Sequence, residues 1–163
     1  MDGLFPGDLF AYAAAAAANT TAGATTSLKG IFVDAVGAPE STEAWEIVHS
    51  GTIDGQRMAR FRENIAPQDC VEFGAIAVVA TALHVRDGLR LGSVRKIGTH
   101  SDYSLRDMHG NPAGVIELAG VSGQYTSDVA ARKRKSVERS ITRPARIGIV
   151  AFGGVELRSE VIA

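Results

Sequence analysis

Between Pro67 and Gly88 the chain sets Ile76, Val79 and Leu83 four, seven and eleven positions after Glu72. That spacing is the single stripe of a helix lying on a sheet. Pro67 near its start, Asp69 in its first turn and Gly88 just past its end supply the matching start and stop signals. Beyond it, Leu89 to Ile97, Asp102 to Arg106 and Ala113 to Ala119 read as three strands of a meander, the last two joined by the turn formers of Asp107 to Pro112. Thr126 or Ser127 caps a second helix running to about Ser140, and Ile147 to Phe152 is an apolar strand before Gly153 and Gly154. The order is helix, three strands, helix, strand.

Upstream the pattern is looser. Pro6 to Ala18 has the helix propensity of its alanines, with Leu9, Phe10 and Tyr12 as its only sizeable apolar groups, and Asn19 to Ser27 is a Thr, Ala and Gly stretch that reads as a loop. Leu28 to Val36 reads as a strand stopped by Gly37. Ala44 to Ser50 and Gln56 to Arg62 flank Thr-Ile-Asp-Gly and read as a hairpin. The expectation is an N-terminal helix and β-hairpin addition over residues 1–62, followed by a core over 63–163.

Composition adds bounds. The chain has 163 residues, of which 45% are hydrophobic and 21% charged, enough for one domain with a real core. Cys70 is the only cysteine, which excludes an intrachain disulfide and a cysteine metal cluster. The first basic residue is Lys29, so the Ala13 to Ala18 run lacks the basic start of a secretory signal. No apolar run reaches the roughly 20 residues of a membrane span. A cytoplasmic protein without a membrane partner is the expectation.

A formal net charge of -1 argues against bulk electrostatic coating of nucleic acid. Positive charge is instead local: Arg132, Lys133, Arg134, Lys135, Arg139, Arg143 and Arg146 face only Glu138 in the same stretch. Such a patch could hold phosphates, with Arg132, Arg134, Lys135 and Arg139 as the candidate nucleic-acid contacts.

The chemistry centres on Glu117, a lone acid in the apolar run Ala113 to Ala119, which needs a cation or a hydrogen-bonding partner to offset its desolvation. Asp102 opens the preceding strand, and two carboxylates so placed can share a metal ion. This order, with one acid opening the second strand and another in the third, resembles the core of the PD-(D/E)xK nuclease superfamily over roughly residues 67–152. The resemblance implies an α/β, restriction-endonuclease-like αβββαβ core. It also implies that Asp102, Glu117 and the backbone carbonyl of Leu118 bind Mg²⁺ or Mn²⁺, and that the site hydrolyses nucleic-acid phosphodiester bonds, DNA before RNA. The family pattern places a lysine two residues after the second acid, where this chain has Ala119. In some members the following helix supplies it. Lys133 shares a helical face with Val129, Ser136, Val137 and Ser140, the side expected to cover the sheet, while Arg132, Arg134 and Lys135 are expected to point elsewhere. An ammonium beyond about 6 Å from both carboxylates would leave that substitution without a basis. Glu72, on the stripe of the first helix, matches an auxiliary acid found in the superfamily. Cleaving a duplex asks for two active sites, so a homodimer is the corollary.

Each residue also has an ordinary structural reading. Asp102 and Glu117 could be a strand-start turn residue and a structural acid, Lys133 a snorkelling lysine, the basic run a solvated face and Glu72 a first-turn acid favoured by the helix dipole. His49, His84, His100 and His109 lack metal-ligand spacing, and only His100, two residues before Asp102, stands near the candidate chemistry. Gly120 to Gly123 follows a strand and precedes a helix, where backbone amides could seat a phosphate. No serine-nucleophile elbow, Walker loop or dinucleotide fingerprint is present. Ala119 keeps open a second function, a nuclease-like domain without catalysis that binds nucleic acid or assembles with protein.

Overall fold

A computed structural model of the chain describes residues 25–48, 55–94 and 100–163. The helix expected over Pro6 to Ala18 lies outside them, as does His49. The described strands are β1 (Thr25–Val33), β2 (Ser41–Val48), β3 (Arg90–Val94), β4 (Tyr103–Arg106), β5 (Pro112–Val121), β6 (Ala145–Ala151) and β7 (Glu156–Val161). The helices are α1 (Gly55–Asn64), α2 (Pro67–Asp87) and α3 (Ser127–Val137). The protein is thus a mixed α/β protein with a seven-stranded sheet in the order β2-β1-β7-β6-β5-β4-β3. The β3-β4-β5 meander is antiparallel, β5 and β6 are parallel through the α3 crossover, and β7 joins β6 antiparallel and β1 parallel.

Alternation along the strands sorts the side chains into two layers, because successive residues leave opposite faces. Leu105, Ile116, Leu118, Val150 and Leu157 meet Ala75, Ile76, Val79, Ala82 and Leu83 of α2. Val115, Ala145, Ile147 and Ile149 meet Ala130 and Val137 of α3 on the other face. Burial of each large aliphatic side chain here contributes about 1.5–3 kcal/mol. At Gly120 the backbone of α2 at Val71 comes so close that a Cβ would collide with it, and at Gly88 a left-handed backbone ends α2. By length and composition α2 could cross a membrane, and here eight of its residues, among them Ile76, Val78, Val79 and Leu83, are buried in the protein.

Three expectations need correcting. Gln56 to Arg62 is not a hairpin arm but part of α1, because Met58 and Phe61 bury one helical side of a segment without β-branched residues. The hairpin is β1–β2, and β1 begins at Thr25 inside the stretch read as a loop. Finally, β7 continues the sheet beyond the expected last strand: its charged residues Arg158 and Glu160 lie on the α3 face and are paired there, which hides the strand's alternation.

Candidate active site

The site forms where β4 starts beside the middle of β5. The Asp102 N–H donates to the Ile116 carbonyl at 2.9 Å, as a ladder residue would. Its carboxylate then does the work of the next ladder residue, with Oδ2 accepting the Leu118 N–H at 2.7 Å. A strand residue sends its N–H and C=O to the same edge, so the Leu118 carbonyl lies on the Asp102 side while its side chain packs under α2. Glu117, one residue back, points to the opposite face with Val115 and Ala119, toward α3.

On α3, Val129 and Val137 flank the core and Ala130 is fully buried, which turns Lys133 down toward β5. The Lys133 ammonium donates to Glu117 Oε1 at 3.0 Å and lies 3.7 Å from Asp102 Oδ2. Lys133 therefore does not lie beyond about 6 Å from either acid. The Glu117 side chain is only 12% exposed, against 42% for Asp102 and 26% for Lys133, so the cluster is a half-open notch with Glu117 at its floor. Two carboxylates share one ammonium. Among the described residues no group of three or more His, Cys, Asp or Glu side chains gathers, so a metal here would draw on the carboxylate pair and the Leu118 carbonyl.

Glu72 stands apart. It is exposed, and it makes no hydrogen bond or ion pair with Asp102, Glu117 or Lys133. Its charge is felt at Tyr103, whose phenol is pushed up by burial first and then by the negative charges of Asp102 and Glu72. The stripe expectation failed at its first member because Val71 backs onto Gly120 and a residue 100° further round the helix turns outward. Of the histidines, His84 and His109 are exposed, and His100 adopts a left-handed backbone at φ 57° just before Asp102.

The basic run divides by direction. Arg134 does not point away from the sheet, as the helical wheel implied, but chelates the buried Glu160 with Nε at 2.8 Å and Nη2 at 2.7 Å. Arg158 also donates to Glu160 and to Glu40, and its guanidinium lies 5.4 Å from the centre of the Tyr125 ring. Burial alone would raise Glu160; hydrogen bonds from Arg134 and Arg158 overcome it and hold the carboxyl below its usual range. Arg132, Lys135 and Arg139 are exposed and make no ion pair among the described residues. Arg146 belongs to a third cluster on the α2 face. There it bonds Asp87, and Arg86 bonds Asp87, Asp34 and Glu43 while stacking 4.1 Å from the Phe32 ring. Each carboxylate in that cluster has a guanidinium within 2.9 Å, so it clasps the β1–β2 hairpin to the end of α2.

No protein-family model, no curated protein and no solved structure matches this chain.

Proposed function

We propose that the chain is a metal-dependent nuclease of the PD-(D/E)xK kind, its active site formed by Asp102, Glu117 and Lys133. The observation that carries this reading is the Lys133 ammonium, which lies within ion-pair distance of both strand acids. The segment order α2-β3-β4-β5-α3-β6 agrees with a restriction-endonuclease-like αβββαβ core.

The residues fit a divalent ion on their own chemistry. Hard oxygen donors from adjacent strands converge on a spot that a cation already favours, and the Leu118 carbonyl lies on the same edge. When bound, Mg²⁺ or Mn²⁺ would polarise a phosphate oxygen and lower the pKa of a water. Glu117 and Asp102 would hold it, with Asp102 kept in place by the Leu118 N–H. Lys133 keeps positive charge beside the spot where a phosphate oxygen gains charge, and its Nζ protons orient the attacking water. Glu72 has no direct part in this set. A homodimer would place two such sites on a duplex.

The test is cleavage of plasmid and single-stranded DNA in Mg²⁺ or Mn²⁺ by the full chain. Nicking that disappears in Asp102→Ala, Glu117→Ala and Lys133→Met supports the proposal; cleavage that survives them overturns it. Ala119 favours a second reading, a nuclease-like binding or assembly module. It predicts no heat of metal binding and nucleic-acid or protein binding that chelator leaves unchanged.

A further inference from the structure

We infer that the loop after α3 is a wedge that enters a nucleic-acid duplex between two base pairs, with Ile141 as the inserted side chain. Ile141 is 96% exposed, the most exposed of the large hydrophobic residues described. Single exposed aliphatics are common on protein surfaces, and three further observations set this one apart.

First, the loop is bolted. The Arg143 guanidinium donates to the carbonyls of Ser140, Thr142 and Glu138, and the Thr142 N–H donates to the hydroxyl of the buried Ser140. Main-chain bonds from Arg139 to Ser136 and from Ser140 to Val137 continue the helix into the loop. The tip is thus ordered before any partner arrives, which lowers the entropy lost on binding. Second, Ile is branched at Cβ and has few rotamers, so it is a stiff apolar point rather than a floppy one.

Third, the surface leading to the tip is cationic. Arg132 and Lys135 lie three positions apart on α3, within one 60° sector at 100° per residue, and Arg139 follows in the turn after the helix. They are exposed and make no ion pair among the described residues, whereas Lys133 and Arg134 on the sheet side are both paired. A row of cations without ion pairs among the described residues, running along the end of α3 into the turn that follows and ending at an apolar tip, matches a phosphate backbone beside an opened base step. Side chains that kink duplexes combine the same two elements. A protein partner would favour a broader apolar patch than one side chain.

The inference rests on the nuclease reading only for its choice of nucleic acid, and binding is measurable with cleavage switched off. A 30-base-pair DNA duplex carrying 2-aminopurine is titrated with the full chain in EDTA, following fluorescence anisotropy for binding and 2-aminopurine emission for unstacking. We expect emission to rise on binding. Ile141→Ala and Ile141→Ser should abolish the rise and weaken binding about tenfold, the equivalent of one partly buried aliphatic side chain. The Arg132→Gln, Lys135→Gln, Arg139→Gln triple variant should reduce the salt slope by roughly three. Binding and emission unchanged in both Ile141 variants overturn the wedge, as does an Ile141→Ala effect on self-association alone. Binding to phosphatidylserine vesicles but not to DNA assigns the tip to a membrane surface and also overturns it. Duplex binding with unstacking but no cleavage in metal supports the wedge and removes the nuclease.

Discussion

Lys133 and Arg134 are neighbours on α3 and end in charge clusters built on opposite terms. Arg134 meets Glu160, which is 5% exposed, with two hydrogen bonds, and Arg158 adds another while reaching Glu40. Two guanidiniums answer two carboxylates, and the central one is satisfied from both sides. Lys133 meets two carboxylates alone, reaches one at 3.0 Å and the other only at 3.7 Å, and leaves Asp102 42% exposed. A saturated cluster holds a fold together; a cluster with surplus negative charge and an open side is ready for another cation. Buried ion pairs are weak evidence for stability in themselves, but removing one partner is costly because it strands the others. The two clusters should therefore respond oppositely to the same kind of deletion.

The largest difference is expected in rate. Glu117→Ala should reduce DNA cleavage by about a thousandfold, because it removes several kcal/mol of transition-state stabilisation. It should change the unfolding free energy by only about 1 kcal/mol, since Lys133 still has Asp102 and partial solvent. Single-turnover cleavage and urea denaturation on the same preparation measure both numbers. An unfolding loss as large as the rate loss would make Glu117 a structural acid.

Glu160→Ala is the mirror experiment. It strands Arg134 and Arg158 beside one another and should cost about 3 kcal/mol of stability. Its cleavage rate at a temperature where the variant remains folded should stay within a fewfold of the parent. A rate loss comparable to that of Glu117→Ala would merge the two clusters into one functional unit.

The two clusters also differ in how far the sequence discloses them. Lys133 is legible because its face is fixed by Val129 and Val137, local neighbours at helical spacing, and α2 is legible for the same reason through Ile76, Val79 and Leu83. Arg134 is not. Its partner Glu160 is 26 residues away on a strand whose burial depends on the pairing itself, so neither half announces the other. The same loss of signal hid β7, in which Arg158 and Glu160 occupy positions that an apolar alternation would fill with aliphatics. Glu72 fits its stripe by number but not by place, because the close contact of Val71 with Gly120 sets the rotation of α2 about its axis. Periodicity reports which residues share a face; only tertiary contact decides where that face ends.

A smaller effect separates the roles of the two basic side chains. Lys133 sits beside the two carboxylates that would hold a divalent ion, so its charge should weaken metal binding even where it would serve the proposed hydrolysis. Lys133→Met should bind Mn²⁺ about tenfold more tightly by calorimetry, some 1.4 kcal/mol, while losing cleavage. Arg134→Met should leave Mn²⁺ affinity unchanged. Metal binding weakened in Lys133→Met would mean that the lysine organises the carboxylates instead of competing for them.

The smallest expected effect lies in the acid dependence of folding. Glu160 has its carboxyl held below the ordinary value of 4.5 in the folded state, by Arg134 and Arg158 against the opposing effect of burial. The unfolded chain therefore binds a proton at Glu160 before the folded chain does. The contribution is fully present above 4.5 and is lost as pH falls through the lower folded value. Glu160→Gln has no such contribution to lose, although it keeps a side chain of the same shape. Its Tm should lie below that of the parent at pH 7, and the gap should narrow steadily as pH is lowered from 4.5 toward 3. Tyr125, which also lies beside Arg158 and Arg134, is pushed up by burial and stays neutral throughout this range. A gap that stays constant over the same interval would show that the arginines do not hold the Glu160 carboxyl below its ordinary range. The contrast with the half-open pair at Lys133 would then rest on solvent access instead of charge balance.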